Sequence, residues 1–148
     1  MILEGQFTIP APQDRVWAAV WDVPTLAGWV PGCTHAEQVD DTTYRAHLEQ
    51  QVGFLKASFD LLLRVAETEA PRMVRLRGEG EDRKLRSNIQ ADILVELEPA
   101  PEGTLLRYRQ DVSVLGRLGA LGFPLIQRKA KELEAEFARR ARAGLAGG

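Results

Sequence analysis

The sequence predicts an α+β fold in which a seven-stranded antiparallel sheet curls around one long C-terminal helix. Three observations predict it. Seven segments alternate apolar and polar residues with the period of half-buried strands, turn signals separate six of them in an unbroken series, and the chain then switches to helical spacing. The 148 residues suffice for one domain, spanning 1–148, that buries roughly two thirds of the surface its unfolded chain exposes.

The first segment, Ile2 to Ile9, sets Leu3, Phe7 and Ile9 against Glu4, Gln6 and Thr8, a strand weakened locally by Gly5. In PAPQDRVWAAVWD the period changes. Val16, Trp17, Val20 and Trp21 share one side of a short helix that Pro12 can start and that Asp22 and Pro24 stop. The next stretch, PTLAGWVPGC, holds a helical turn around Thr25 to Trp29 and a tight turn at Pro31-Gly32.

A meander follows. Its first strand runs from about Cys33 to Val39 and turns at DDT, and in TYRAHLEQQ Tyr44, Ala46 and Leu48 oppose Arg45, His47 and Glu49. Beyond the turn at Gly53, FLKASFDLLLRVAE places Leu55, Ala57, Phe59, Leu61, Leu63 and Val65 on one face. RMVRLRGEG then offers Val74 and Leu76, SNIQADILVELE offers Ile89, Ala91, Ile93, Val95 and Leu97, and TLLRYRQDVSV offers Leu106, Tyr108, Val112 and Val114. Last comes a loose turn at Arg117 to Leu121 and a helix that starts close to Pro124 and that Gly144 helps to end. Its apolar stripe is Leu125, Ile126, Ala130, Leu133, Phe137 and Ala141. A sheet with one face to cover and one helix to cover it leaves an apolar tunnel between them, suited to a small apolar ligand.

Composition narrows the functional classes. With 45% hydrophobic and 27% charged residues and a formal net charge of −2, the chain has no global bias toward nucleic acid. Its single cysteine, Cys33, forms no internal disulfide, and MILEGQFTIPAP is neither a basic leader nor a long apolar segment, so a cytoplasmic location is expected. No window reaches the ~20 apolar residues needed to cross a bilayer, and the chain stops at ARAGLAGG without an anchor. Any membrane contact is expected to be peripheral.

Four stretches, IPAPQDRVWAAVWDVPTLAGWVPGC, VGFLKASFDLLLRV, RLRGEGE and GTLLRYRQDVSVLGRLGALGFPLI, resemble the CoxG family of carbon monoxide dehydrogenase. That family belongs to the START/polyketide-cyclase superfamily of helix-grip proteins. The resemblance implies an apolar ligand-binding domain that is an accessory to molybdenum-containing oxidoreductases, involved in bringing the enzyme to a membrane or in handling a lipophilic electron carrier such as a quinone. Some members carry a C-terminal extension with an apolar segment, which is missing after the last helix here.

The expected lining is Trp29, Phe59, Leu76, Ile93, Tyr108, Ile126 and Leu133, with the Tyr108 hydroxyl as a polar anchor. Trp17 and Trp21 are expected to pack the short helices onto the sheet, and Trp29 either to join them or to line the tunnel. Cys33 and His35, two apart on one strand, would share a face, with His47 on the next strand. A thiol and two imidazoles invite a metal or a Cys-His nucleophile. The spacing fits no metal signature and no Asp or Asn is evidently placed to orient the base, so Cys33 is read as a small hydrophobe and the histidines as half-exposed.

Glu79, Glu81, Asp82, Arg83 and Lys84 read as a solvated hairpin tip, and Gly78 and Gly80 as a bend or bulge. On the last helix, Arg128, Lys129, Lys131, Arg139, Arg140 and Arg142 read as a solvated face, with contact to an anionic lipid or an acidic partner as the functional alternative. The first expectation is therefore a non-enzymatic protein, needing no metal or cofactor, that binds a lipophilic molecule and serves an oxidoreductase complex. The alternatives are a polyketide cyclase-type enzyme, in which an inward Tyr, Asp or His steers an enolate, and an adaptor with a filled core.

Overall fold

The structure, a computed structural model, describes residues 1–145; the AGG end of the chain, and with it the expectation that the sequence stops without an anchor, lies outside the described residues. The element order is β1 (Ile2–Ile9), α1 (Gln13–Trp21), α2 (Val23–Trp29), β2 (Cys33–Gln38), β3 (Thr43–Val52), β4 (Leu55–Glu69), β5 (Met73–Asp82), β6 (Ser87–Ala100), β7 (Gly103–Leu115), a 3₁₀ turn at Gly119–Leu121 and α3 (Phe123–Leu145). All seven strands form one antiparallel sheet in the order β1-β7-β6-β5-β4-β3-β2. The expected α+β architecture, a sheet wrapped around a long C-terminal helix, is the observed one.

Register fixes which side chains share the inner face. Leu3, Gln110, Ile93, Leu76 and Val65 stand opposite one another in one row; Val112, Ala91, Gly78 and Leu63 form another, and Gly5, Tyr108, Val95 and Val74 a third. The outer face carries charge, as in the row Thr43, Arg64, Arg77, Asp92 and Asp111.

Several local expectations change. Pro24 does not end a helix: it lies in the first turn of α2, where its missing N–H costs nothing, and Asp22 caps that turn by accepting from Thr25 N at 3.3 Å. Gly144 does not end α3 but lies inside it. A Cβ there would stand 2.8 Å from Trp29 Nε1, so glycine lets the last turn press onto the indole. Gly78 and Gly80 mark no bulge, since β5 pairs with both neighbours there without a register shift. They are bare because a Cβ would meet Leu63 Cδ2 at 2.8 Å and Leu61 Cδ2 at 2.4 Å.

Asp82 is not part of a solvated tip. It is 3% exposed and accepts from Ser58 N at 2.7 Å and Leu85 N at 3.0 Å, tying the β5–β6 turn to β4. Burial alone would raise this carboxyl, but the N–H groups of Ser58, Leu85 and Lys84 outweigh it and hold Asp82 below its ordinary value.

Two separate cores hold the ends of the grip. At one end Ile9, Ala11, Val16, Ala19, Trp29, Leu97, Leu106, Ala141 and Leu145 bury one another, joined by Phe7 and Phe137. Phe137 meets Trp29 edge-on, with ring centroids 6.0 Å apart and planes at 89°. At the other end Val52, Leu55, Ala57, Phe59, Leu85 and Leu118 do the same, joined by Leu121 and Leu125.

Candidate functional site

Between those two cores the inner face is only partly covered. Leu63, Val65, Leu76, Ala91 and Ile93 point toward α3, yet solvent reaches each of them and none packs into either core. The backbone of α3 comes closest to the sheet at the edge strand β1, and stands off from the central strands. On the helix, Ile126 and Leu133, two turns apart, are half-buried and likewise belong to neither core. The result is an apolar floor and an apolar ceiling with an incompletely filled interval between them.

The seven residues expected to line a tunnel divide three ways. Leu76, Ile93, Ile126 and Leu133 lie in this interval. Trp29, 6% exposed, is built into one end core and Phe59, 5% exposed, into the other, so the structure does not bring these two together with the four. Tyr108 stands at the wall nearest β1, half-buried against the first core. Strand alternation assigns a side chain to a face but carries no signal for its position along the grip, and the two aromatic rings fill the ends.

Sequence reasoning missed Glu134. Counted among the outward charges of the last helix, it turns inward, and its Oε1 accepts from the Tyr108 hydroxyl at 2.5 Å. Gly5 makes the space, because a Cβ at that position would stand 1.8 Å from Glu134 Oε1. The signal was a glycine in the middle of an otherwise regular strand. Burial, then the bond to Glu134 and its charge, push the Tyr108 phenol far above its ordinary value.

The cysteine and the histidines separate. A bulge between Cys33 and His35 places Cys33 opposite Leu48 on the inner side, while His35 stands opposite His47 on the outer face. The extra residue, Thr34, reverses the parity on which a shared face depended. Contrary to expectation, an Asp does orient His47: its Nδ1 donates to Asp60 Oδ1 at 2.9 Å, while Ser58 Oγ stands 2.9 Å from Nε2. This hydroxyl, imidazole and carboxylate have the connectivity of a nucleophile relay, but the electrostatics oppose that use. The hydrogen bond to Asp60 first, and the charges of Asp60 and Glu49 with it, raise the His47 pKa and favour the imidazolium, which has no lone pair to accept a serine proton. Among the described residues no group of three or more His, Cys, Asp or Glu side chains is placed to hold a metal ion.

The outer face also bears two open hollows, of about 490 and 430 Å³. Arg64, Arg77, Glu79, Asp92 and Asp111 line the first, and Arg45, Asp60, Glu79 and Glu81 the second, so an apolar molecule would bury little there. The inner interval is the better candidate. Among the described residues, no helix is long and apolar enough to cross a membrane.

The architecture recurs in solved structures. A conserved protein from Geobacillus kaustophilus superposes with a TM-score of 0.90 at 22% identity, covering 99% of this chain and 96% of that one. A START superfamily protein from Mycobacterium smegmatis gives 0.76 at 14% identity, with 99% and 97% covered. A protein from Thermus thermophilus gives 0.68 at 17% identity, with 97% and 99% covered. At these identities the likeness establishes a shared fold, one consistent with apolar ligand binding in general. No curated protein matches the chain in sequence. Residues 5–145 do match the model of a carbon monoxide dehydrogenase family, CoxG, and with nearly the whole chain inside that match the protein belongs to the CoxG family.

Proposed function

We propose that this protein holds a lipophilic small molecule, lipid- or quinone-like, between the inner face of the sheet and α3, and that it does so as an accessory of a molybdenum hydroxylase or carbon monoxide dehydrogenase-type enzyme. One observation carries the reading: half-buried apolar side chains, Leu63, Val65, Leu76 and Ile93 below with Ile126 and Leu133 above, that neither core absorbs. A chain that gained nothing from that interval would close it, because apolar side chains left in contact with water forgo about 25 cal/mol per Å² of burial. Binding rather than reaction fits the inner chemistry. Of the two tyrosines, Tyr108 is committed to Glu134 and Tyr44 packs against Trp21, and burial raises both phenols, so each is a poor acid for steering an enolate. The test is native mass spectrometry of protein purified from its own host, followed by organic extraction. A stoichiometric apolar passenger is expected; an empty protein that takes up nothing from a quinone and lipid panel would favour an adaptor.

A second observation favours a lipid surface as the place of loading. The turns that follow β3, β5 and β7 converge at one end of the grip, where Leu118 N donates to Ser87 Oγ at 3.0 Å and a Cβ on Gly53 would touch Leu125. Phe54 is 80% exposed there and Phe123 40% exposed. Lys56, Arg83, Lys84, Arg86 and Arg117 are all exposed around them, whereas Asp40, Asp41, Glu67, Glu69, Glu98 and Glu102 gather at the opposite end. Exposed aromatics inside a cationic ring suit an anionic bilayer. The wild type should sediment with phosphatidylglycerol vesicles at low salt and not with phosphatidylcholine vesicles, and Phe54→Ser should weaken the binding. Equal sedimentation with both lipids, or with neither, would refute this loading surface.

A further inference from the structure

We propose that Glu134 makes the site selective for apolar molecules whose polar end donates a hydrogen bond, a hydroxyl or phenol, and turns away apolar carboxylic acids. The inference rests on the apolar site proposed above. Among the described residues Glu134 is the one carboxylate of α3 bonded to an inner-face side chain, and its own side chain is 20% exposed. Space for it is built in at Gly5, where any side chain would collide with Oε1.

Both partners of this carboxylate engage the same oxygen. The Tyr108 hydroxyl donates to Oε1 at 2.5 Å, and Lys131 Nζ lies 3.6 Å from Oε1 while itself donating to the Glu4 carbonyl at 2.7 Å. Among the described residues Oε2 has no hydrogen-bond donor. A carboxylate accepts through both oxygens, about four lone-pair sites in all, so a donor is the complement that Oε2 lacks. The pair also stands in the right place. Tyr108 lies in the inner-face row of Gly5, Val95 and Val74, adjacent to the row of Gln110, Ile93 and Leu76, so a molecule lying over Ile93 brings its end to the Tyr108–Glu134 wall. A ligand carboxylate there would face a like charge in partly desolvated surroundings, which costs more than the same encounter in water.

The experiment compares three probes of one shape, para-nonylphenol, para-nonylanisole and para-nonylbenzoate, by titration calorimetry at neutral pH. The phenol should bind the wild type about ten-fold or more tightly than the ether and the benzoate, the ratio expected of a hydrogen bond to a charged acceptor. Glu134→Gln, which keeps the shape and removes the charge, should bring the benzoate to within a few-fold of the phenol. Three probes of equal affinity for the wild type would overturn the selectivity while leaving the apolar site standing. Failure of all three to bind would overturn the site itself. The wild-type series decides the matter whether or not the variant folds.

Discussion

Leucine truncation separates an open floor from a packed core. Leu97, 2% exposed, and Leu106, 5% exposed, belong to one end core, whereas Leu76 lies in the interval between the cores, where solvent reaches it. Each Leu→Ala change removes three carbons, about 0.8 kcal/mol apiece where they are fully withdrawn from water. At Leu97 and Leu106 the whole transfer loss applies and a void is left, so each should cost about 3–4 kcal/mol. At Leu76 about half the transfer loss applies and no new void forms against an interval already part-open, so the cost should be about 1 kcal/mol. Urea unfolding of the ligand-free protein, followed by far-ultraviolet circular dichroism, measures all three against the wild type. A loss of about 3 kcal/mol or more for Leu76→Ala would show the floor to be packed like the ends, and the reasoning that makes it a binding surface would fail.

Three further outcomes follow from local geometry. Asp82→Ala leaves the buried N–H groups of Ser58 and Leu85 without an acceptor and should cost about 1–3 kcal/mol for each, measured by thermal or urea unfolding; because the folded state holds this carboxyl below its ordinary value, its contribution is present above that value and fades as pH falls through the lowered one, so the difference between wild type and Asp82→Asn should shrink in acid. The His47 imidazole, raised chiefly by its bond to Asp60, should titrate above its ordinary value by nuclear magnetic resonance and fall toward it in Asp60→Asn; the pair's stabilisation is complete below the ordinary imidazole value and disappears as pH rises through the raised one. Gly5→Ala forces the Glu134 carboxylate aside and should destabilise by about 1–3 kcal/mol, with the Tyr108 phenol titrating lower in an ultraviolet absorbance series than in the wild type.

Much of the fold was legible because its determinants are periodic. Period two in Leu55 to Val65 and in Ile89 to Leu97 assigned the inner face correctly, and the helical stripe from Leu125 to Ala141 identified the element that is gripped. What escaped depends on three-dimensional coincidence. The bulge at Thr34 has no composition of its own, yet one inserted residue moved His35 to the opposite face from Cys33. Asp82 looked like one charge among several, and only the approach of Ser58 and Leu85 gives it two buried donors. Glu134 looked like a solvent charge on an amphipathic helix until Gly5 and Tyr108 were placed beneath it. The site divided in the same way: the four middle residues follow from periodicity, whereas the assignment of Trp29 and Phe59 to end cores depends on how far along the strand α3 makes contact.

The position of the first strand bears on how the protein is made. From β2 to β7 every strand pairs with its successor, so the meander can form by closing short loops as the chain lengthens. β1 is different: Ile2 pairs with Asp111 and Ile9 with Thr104, which means that the first residues synthesised have no place in the sheet until nearly three quarters of the chain exists. The last helix then closes over that same edge, with Lys131 donating to the Glu4 carbonyl and Arg142 to the Thr8 carbonyl at 2.9 Å. The wall that faces the binding interval is thus assembled from the two extremes of the sequence, and the hollow exists as an enclosed space only in the finished protein.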